Sequence, residues 1–345
     1  MKTPTASGLE GVVAAQTALS HVDGEKGELI IAGARLEALA GKVSFEQACA
    51  TLWKEPRVEL GEARRWAFGL LPKLSQPDGM DALRASIGQL PPCDARQLAG
   101  AMAVFGAAWA RVSAGQQPIA PDPSAAHAAD IIHMVTGKVP TPGLASALDA
   151  YLVAVIDHGM NASTFTARVI ASTGSDLVSA ITGAVGALKG PLHGGAPGPV
   201  LDMLDAIEVP ERATQWLEAE LAAGRRIMGM GHRIYRVRDP RAAVLEAAIE
   251  RLEGEGVTSR RLTLARAVER AATQVLAKRY PDRSLQANVE FYTAVLLDTV
   301  GLPRELFSVL FAMGRVAGWC AHVAEQRATG KLIRPASEYV GPMPV

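Results

Sequence analysis

Three of the seven histidines lie in loop-like stretches that contain glycine. They are His158, His193 and His232, and the stretches around them span residues 157–164, 190–199 and 228–233. Glycine beside a histidine lets the backbone come close to a ligand and allows left-handed conformations. An imidazole held in such a loop can polarise or protonate a bound substrate, although a single histidine of this kind is more often structural. The three together predict a candidate site without specifying its reaction.

A group of arginines supplies the second half of a possible site. Four of them follow His232 closely and two lie nearer the C-terminus: Arg233, Arg236, Arg238 and Arg241, then Arg315 and Arg334. A guanidinium group binds a carboxylate through two parallel hydrogen bonds, so several in one pocket would suit a di- or tricarboxylate. The alternative is a set of solvated surface charges, and we favour it for Arg233 and Arg238.

The sequence contains no motif for metal binding, dinucleotide binding or a disulfide framework. No HExxH motif occurs and no two histidines have i, i+4 spacing, so we expect no metal site. Residues 229–231 have two glycines, but a dinucleotide fingerprint needs a third glycine and a preceding strand. Cys49, Cys93 and Cys320 are isolated in sequence, which indicates buried thiols in a reducing compartment rather than a disulfide framework.

Length and composition narrow the class of protein. The 345 residues are enough for one large domain or two unequal ones. Lys and Arg total 35 and so do Asp and Glu, which argues against a nucleic-acid or membrane-surface partner. Hydrophobic residues make up 49% and charged residues 20%, so the chain is not disordered. We expect a cytoplasmic protein without a membrane-spanning helix.

Helical periodicity recurs along the chain and predicts an almost all-α protein. Apolar residues with i, i+3, i+4, i+7 spacing over 306–317 predict a helix after Pro303. Asp239 suits an N-cap and Pro240 a first helical turn, so another helix is predicted to begin there. A third is predicted over 262–276.

Few segments depart from this helical pattern. Residues 28–32 predict a short strand near the N-terminus. The proline-rich residues 116–123 predict a loop between helices, and 190–199 contain more Gly and Pro than a helix connection requires.

Several of these segments, in this order and spacing, resemble the citrate synthase family. The matching runs are residues 8–14, 157–165, 186–196, 228–233, 239–241, 288–292, 314–319 and 334–335. The resemblance implies an all-α, citrate synthase-like fold with a large helical domain and a smaller mobile helical domain. By analogy, residues 1–194 and 302–345 form the large domain and 195–301 the small one. It also implies a homodimer with a shared active site.

The resemblance further implies condensation of acetyl-CoA with oxaloacetate and hydrolysis of the citryl-CoA intermediate. Its implied catalytic residues are His193 on the thioester oxygen of the enol, His232 on the ketone, and Glu290 as the base. Its implied substrate-binding residues are His158, Arg241 and Arg315, joined by the partner subunit's Arg334. Arg236, Gly229, Met230 and Gly231 would face coenzyme A, and no permanently bound cofactor is expected.

Three places in the sequence depart from the family pattern. The family base is an aspartate, whereas Glu290 here reaches one methylene group further. Pro197 and Gly198 stand where the family has Asn-Glu, and the run after Arg334 lacks a second basic residue. Two alternatives therefore stay open beside citrate synthase. One is 2-methylcitrate synthase acting on propionyl-CoA, and the other is a weakly active or non-catalytic paralogue that binds dicarboxylate or acyl-CoA.

Overall fold

A small antiparallel sheet lies near the N-terminus of the described chain. The computed structural model describes residues 7–9, 11–194 and 198–344, with the backbone alone for Ser7 and Arg260. Strands β1 (Ser20–Asp23), β2 (Glu28–Ile31) and β3 (Ala34–Arg35) pair in the order β1-β2-β3. Leu29 and Ile31 alternate with more exposed residues along β2, so one face of the strand is buried. The strand predicted over 28–32 is thus confirmed.

Nine helices lie between this sheet and the undescribed residues 195–197. They are α1 (Leu36–Leu39), α2 (Phe45–Trp53), α3 (Gly61–Phe68), α4 (Gly79–Ile87), α5 (Ala95–Ser113), α6 (His127–Thr136), α7 (Pro142–Ala154), α8 (Ala162–Ser172) and α9 (Leu177–Lys189). Ser44 and Asp94 form capping boxes with Gln47 and Gln97, which satisfy orphan N–H groups at the starts of α2 and α5. The loop predicted over 116–123 separates α5 from α6, as expected.

Six helices follow residue 197. They are α10 (Gly198–Ile207), α11 (Ala213–Ala222), α12 (Pro240–Gly254), α13 (Arg260–Arg279), α14 (Val289–Val300) and α15 (Phe307–Thr329). Short 3₁₀ turns cover Ser7–Leu9, Pro210–Arg212 and Arg304–Leu306. The three helices predicted from periodicity and capping correspond to α12, α13 and α15, and Asp239 caps α12 as predicted.

The last helix lies at the centre of the apolar core. α15 packs against α2, α4, α5, α7, α8 and α9. Together with the 3₁₀ turn before it, α15 forms a helical segment over 304–329 that is long and apolar enough to cross a membrane. No other helix among the described residues meets both conditions. The expectation that the chain has no membrane-spanning helix stays a prediction, because length and hydropathy alone do not separate a core helix from a spanning one. Burial of 89% of its apolar window within the molecule is typical of a core helix.

The predicted division into two domains stays a prediction. α12 packs on α14 and α11 on α13, but α12 and α14 also pack against α7. The apolar core continues from Leu19 to Val323 through both sets of helices, so it does not mark a boundary.

The N-terminal sheet contacts two of the loops that carry predicted site residues. The N–H of Gly159 donates to Oγ of Ser20 (2.9 Å), and the N–H of Arg236 donates to the carbonyl oxygen of Gly24 (2.9 Å). A Cβ atom on Gly24 would lie 2.3 Å from the carbonyl oxygen of Ile234. Glycine is therefore required at position 24 for the sheet to approach this loop.

Candidate active site

The loop that carries His232 is held against the segment before α14. The N–H of Gly231 donates to the carbonyl oxygen of Gln286 (2.7 Å), and the N–H of Asn288 donates to that of Gly229 (2.9 Å). The Asn288 side-chain amide also donates to the carbonyl oxygen of Gly231 (2.9 Å). These bonds fix the His232 loop beside the start of α14.

His232 is a neutral imidazole with its proton on Nε2. Its Nδ1 atom accepts hydrogen bonds from the backbone N–H groups of Ile234 (3.0 Å) and Tyr235 (3.1 Å), so the ring proton lies on Nε2. Burial and the neighbouring Arg241 guanidinium lower the pKa of His232 to about 4. Nε2 lies 3.5 Å from Nη2 of Arg241. Because both atoms are donors, an acceptor oxygen between them could receive two hydrogen bonds.

Arg241 is a buried cation held by a buried carboxylate. Its Nε and Nη2 atoms donate to Oδ1 (3.0 Å) and Oδ2 (2.7 Å) of Asp239, and its backbone N–H also donates to Oδ1 (3.0 Å). Asp239 is fully buried and Arg241 is 3% exposed. The bidentate pair fixes the guanidinium plane beside His232.

Arg315 carries an unpartnered amino group. Its Nε donates to the carbonyl oxygen of Val155 (2.6 Å), and its Cζ lies 4.9 Å from the ring centre of Phe311. Nη2 is buried without a hydrogen-bond partner in the described residues. Burial lowers the pKa of Arg315 to about 10, which still leaves it charged at neutral pH. A buried guanidinium N–H without an acceptor is a binding position for an anion.

His158 lies against His232 under a buried tyrosine. The two imidazole ring centres are 5.6 Å apart, and Nε2 of His158 lies 3.1 Å from the Tyr235 hydroxyl. Burial lowers the pKa of His158 well below its ordinary value, and the positive charges of Arg241 and Arg315 lower it further. His158 is therefore neutral at physiological pH.

His193 is held at the N-terminus of α8. The backbone N–H of Ser163 donates to Nε2 of His193 (3.2 Å), and Oγ of Ser163 lies 2.8 Å from the same atom. The Trp319 indole N–H donates to this hydroxyl (3.1 Å). Burial, with the charge of Arg315, lowers the pKa of His193 to about 4. With Nε2 accepting, the proton of this neutral ring lies on Nδ1.

Glu290 is a carboxyl group in a mostly apolar setting in the first turn of α14. Its backbone N–H donates to Oδ1 of Asn288 (3.0 Å). Burial raises the pKa of Glu290 to about 7, although the charge of Arg241 opposes the shift. Glu290 lines a small cavity with Gly194, which follows His193, and with Phe311 beside Arg315. An acid with a pKa near 7 is suited to proton transfer at neutral pH.

The structure therefore brings six of the predicted residues into one region. They are His158, His193, His232, Arg241, Arg315 and Glu290. Among the described residues, no group of three His, Cys, Asp or Glu side chains could hold a metal ion.

The residues expected to face coenzyme A lie beside this region. Met230 forms an isolated antiparallel bridge with Ala287. Gly229 has φ of +72°, and a Cβ atom there would lie 2.9 Å from the side chain of Phe291, so the loop needs glycine. The side chain of Arg236 is exposed to solvent.

One predicted substrate-binding residue, Arg334, lies outside this region. Arg334 is exposed in the extended segment after α15, where it lines a groove with Arg168 and Gln326. Pro197 lies outside the described residues.

The interpretation of Arg238 as a solvated surface charge was wrong. Its guanidinium pairs with Glu246 (2.7 Å) and Glu269 (2.7 Å) and lies 5.1 Å above the ring of Tyr292. The pairing follows from tertiary structure, because Glu269 comes from α13. Arg233 is exposed, as expected.

Sequence reasoning missed several residues around the site. Tyr235 could have been noticed only because it lies between His232 and Arg241. No local pattern marks Tyr151, a fully buried tyrosine on α7 whose hydroxyl has no partner in the described residues. Nor does any mark His322, whose ring bridges Oδ2 of Asp157 (3.2 Å) and Nη1 of Arg168 (2.9 Å).

Comparison with known proteins decides the family. The family model for the citrate synthase C-terminal domain matches residues 8–336. The chain belongs to the citrate synthase family. The family resemblance and the all-α class predicted from the sequence are thus confirmed.

Individual family members resemble the chain to different extents. The putative citrate synthase 2 of Mycobacterium tuberculosis is 52% identical over 205 residues, covering 59% of this chain and 54% of that protein, so the chain matches about half of its length. The citrate synthase of Haloferax volcanii is 35% identical over 97% of this chain and 95% of its own. The 2-methylcitrate synthase of M. tuberculosis is also 35% identical, over 97% and 90%.

A solved structure has a similar backbone along nearly its whole length. It is the ternary complex of carboxymethyl coenzyme A and oxaloacetate with the citrate synthase of Thermoplasma acidophilum. The TM-score is 0.85 at 26% identity, over 98% of this chain and 97% of that one.

Proposed function

We propose that this protein condenses acetyl-CoA with oxaloacetate to form citrate and CoA. The observation that carries the proposal is the pair of donors formed by Nε2 of His232 and Nη2 of Arg241, 3.5 Å apart. The keto acid offers acceptor oxygens of the kind this pair needs, and Arg315 supplies a further unpaired donor for its second carboxylate.

The first step is enolisation of the thioester. The Glu290 carboxylate removes a proton from the methyl carbon of acetyl-CoA, while Nδ1–H of His193 hydrogen-bonds to the thioester oxygen. A base with a pKa of about 7 is ionised in a useful fraction at neutral pH. A neutral imidazole held by the Ser163 N–H can stabilise the developing oxyanion without a conformational change.

The second step forms the carbon–carbon bond. The enolate carbon attacks the ketone carbon of oxaloacetate, and the ketone oxygen takes the proton of Nε2 of His232. The proton that Glu290 removed from the methyl group then restores the neutral His232, so both residues return to their starting states. Arg241, Arg315 and His158 hold the carboxylates during the attack. Water then adds to the thioester carbonyl of citryl-CoA, the C–S bond breaks, and citrate and CoA leave.

The proposal includes the surroundings of the site. The protein is a cytoplasmic homodimer with a large domain and a smaller closing domain, and the partner subunit's Arg334 completes the carboxylate site. Arg236 and the backbone of 229–231 bind coenzyme A, which is a co-substrate rather than a resident cofactor. Exposure of Arg334 supports a role outside its own subunit.

Release of CoA tests the activity directly. The folded protein is mixed with oxaloacetate and either acetyl-CoA or propionyl-CoA, and free thiol is followed over time. We expect turnover with acetyl-CoA. Absence of turnover with both thioesters would refute the assignment.

The role of Glu290 has its own test. Glu290→Asp shortens the side chain by one methylene group, and a misplacement of about 1 Å can change a rate roughly 10²-fold. The variant should therefore change kcat more than the KM for oxaloacetate. An unchanged kcat would show that Glu290 is not the base.

Mixed dimers test the shared site. Arg241→Ala and Arg334→Ala proteins should each be inactive, but mixing and reassociating them gives some dimers with one intact site. Random association predicts recovery of roughly a quarter of wild-type activity. No recovery after confirmed subunit exchange would place Arg334 in its own subunit's site.

Two alternative functions have specific support. The equal identity to a citrate synthase and a 2-methylcitrate synthase supports propionyl-CoA as the second candidate substrate. The longer acid at position 290 supports a paralogue that binds dicarboxylate without turning it over. A higher kcat/KM for propionyl-CoA favours the first alternative, and calorimetric binding of oxaloacetate without CoA release favours the second.

A further inference from the structure

The hydroxyl of Tyr151 is a buried donor without an acceptor. Tyr151 lies on α7, is fully buried, and its hydroxyl has no hydrogen-bond partner in the described residues. Most buried tyrosine hydroxyls find a partner, because leaving the group unpaired costs free energy. The unpaired state therefore needs an explanation in terms of function.

The position of α7 gives that explanation. This helix packs against α12, α14 and α15, the three helices that carry Arg241, Glu290 and Arg315. Val155 follows one helical turn after Tyr151, on the same side, and its carbonyl oxygen accepts the hydrogen bond from Nε of Arg315. Tyr151 thus lies on the helix that packs against all three helices carrying charged groups of the candidate site.

The charged groups near the Tyr151 hydroxyl indicate what kind of ligand could accept its hydrogen bond. Its electrostatic neighbours are the guanidinium groups of Arg315 and Arg241 and the carboxyl of Glu290. A guanidinium group has donors only, so neither arginine can accept the Tyr151 proton. Nη2 of Arg315 is unpaired as well. Two buried, unpaired donors in one region are satisfied together by an anion with several oxygens.

We propose that the Tyr151 hydroxyl is a further substrate-binding group, which donates a hydrogen bond to a carboxylate of the dicarboxylate substrate. The inference rests on the proposed function, because it takes oxaloacetate as the dianion. It adds a neutral donor to the site, which contributes orientation without adding a third positive charge beside Arg241 and Arg315.

Tyr151→Phe tests the proposal through two measurements, the melting temperature of the free protein and the affinity for oxaloacetate. Without substrate, removal of an unpaired hydroxyl should leave the melting temperature unchanged or raise it, because no bond is lost. With oxaloacetate, calorimetry should give a Kd roughly 10- to 100-fold weaker, the usual loss for a hydrogen bond to a charged group. A merely structural hydroxyl would lower the melting temperature of the free protein instead.

Tyr292→Phe is the matched control for stability. Its hydroxyl donates to Oε2 of Glu269 (2.6 Å), so the same chemical change removes a real bond there. This variant should melt at a lower temperature than wild type, which shows that the assay detects a lost tyrosine hydrogen bond.

The remaining outcomes separate this inference from the proposed function. If wild type does not bind oxaloacetate, the proposed function fails and the inference fails with it. If wild type binds and Tyr151→Phe binds equally well, only the inference is overturned. An unchanged Kd with a shifted pH dependence of kcat would assign the hydroxyl to Glu290, which also overturns it.

Discussion

Oδ2 of Asp239 accepts a hydrogen bond from the backbone N–H of Val289 (3.2 Å). Asp239 is the N-cap of α12 and Val289 is the first residue of α14, so one carboxylate joins the N-termini of two helices. The same carboxylate holds the Arg241 guanidinium. The position of a substrate-binding arginine and the start of the helix carrying Glu290 are therefore set by a single side chain.

Replacing this carboxylate should be costly. Asp239→Asn leaves the buried Arg241 charge without its counter-ion, and breaking a buried ion pair in this way typically costs about 3 kcal/mol. We expect that loss in the free energy of unfolding from urea titration, with a higher KM for oxaloacetate. Glu62→Gln, in an exposed pair with Arg65, should change neither quantity measurably. Equal stability of Asp239→Asn and wild type would show that the pair is not a structural tie.

The pH dependence of activity should report Glu290. The carboxyl must be ionised to remove a proton, and its pKa is about 7. Therefore kcat/KM for acetyl-CoA should rise about tenfold per pH unit below 7 and then level off. His193 and His232, with pKa values of about 4, stay neutral from pH 5 to 9 and add no step in this range. A flat profile from pH 5 to 8 would contradict the assignment.

Ionisation of Glu290 should also make the stability of the protein depend on pH. Because the pKa of Glu290 is raised above its unfolded value, the stabilisation from its protonated form is complete below the unfolded value and is lost as the pH rises through about 7. Glu290→Gln mimics the neutral acid. Its melting temperature relative to wild type should therefore increase between pH 5 and pH 8, and a constant difference would argue against the raised pKa.

The roles of the two ring nitrogens of His232 can be tested separately by substitution. His232→Ala removes the acceptor for the N–H groups of Ile234 and Tyr235 and the Nε2 donor together, so turnover and stability should both fall. His232→Asn returns an acceptor near the Nδ1 position without the Nε2 donor. We expect its melting temperature to recover toward wild type while CoA release stays absent. Restored turnover in the asparagine variant would remove Nε2 from the mechanism.

Adding one methyl group at Gly24 should disturb the contact between the N-terminal sheet and the His232 loop. Gly24→Ala places a Cβ atom 2.3 Å from the carbonyl oxygen of Ile234, so the loop must move. Overpacking of this kind costs about 1–3 kcal/mol, and kcat should fall because His232 moves with the loop. Gly254→Ala, which meets no atom within 4 Å, is the control and should leave activity unchanged. Wild-type kcat in Gly24→Ala would show that the sheet does not position His232.

Local sequence patterns were sufficient for the helical class and for several element starts. Asp239 followed by Pro240 predicts a helix start from local hydrogen bonding alone, and the structure has it there. The short apolar run in 28–32 predicts β2 for the same reason, since the strand preference of residues such as Ile30 and Ile31 is also local. The long apolar stripe after Pro303 predicts α15, but local hydropathy could not distinguish a core helix from a membrane-spanning one.

By itself, the sequence determined which residues could do chemistry, because histidines and arginines beside glycine and proline are visible as types and spacings. Tertiary structure alone decided their protonation and their partners. Arg238 pairs with Glu269 on another helix, and the charges of Arg241 and Arg315 act on Tyr151 only because α7 packs against α12 and α15. Burial and long-range charge set pKa values and unpaired donors, and both depend on residues far apart in the chain.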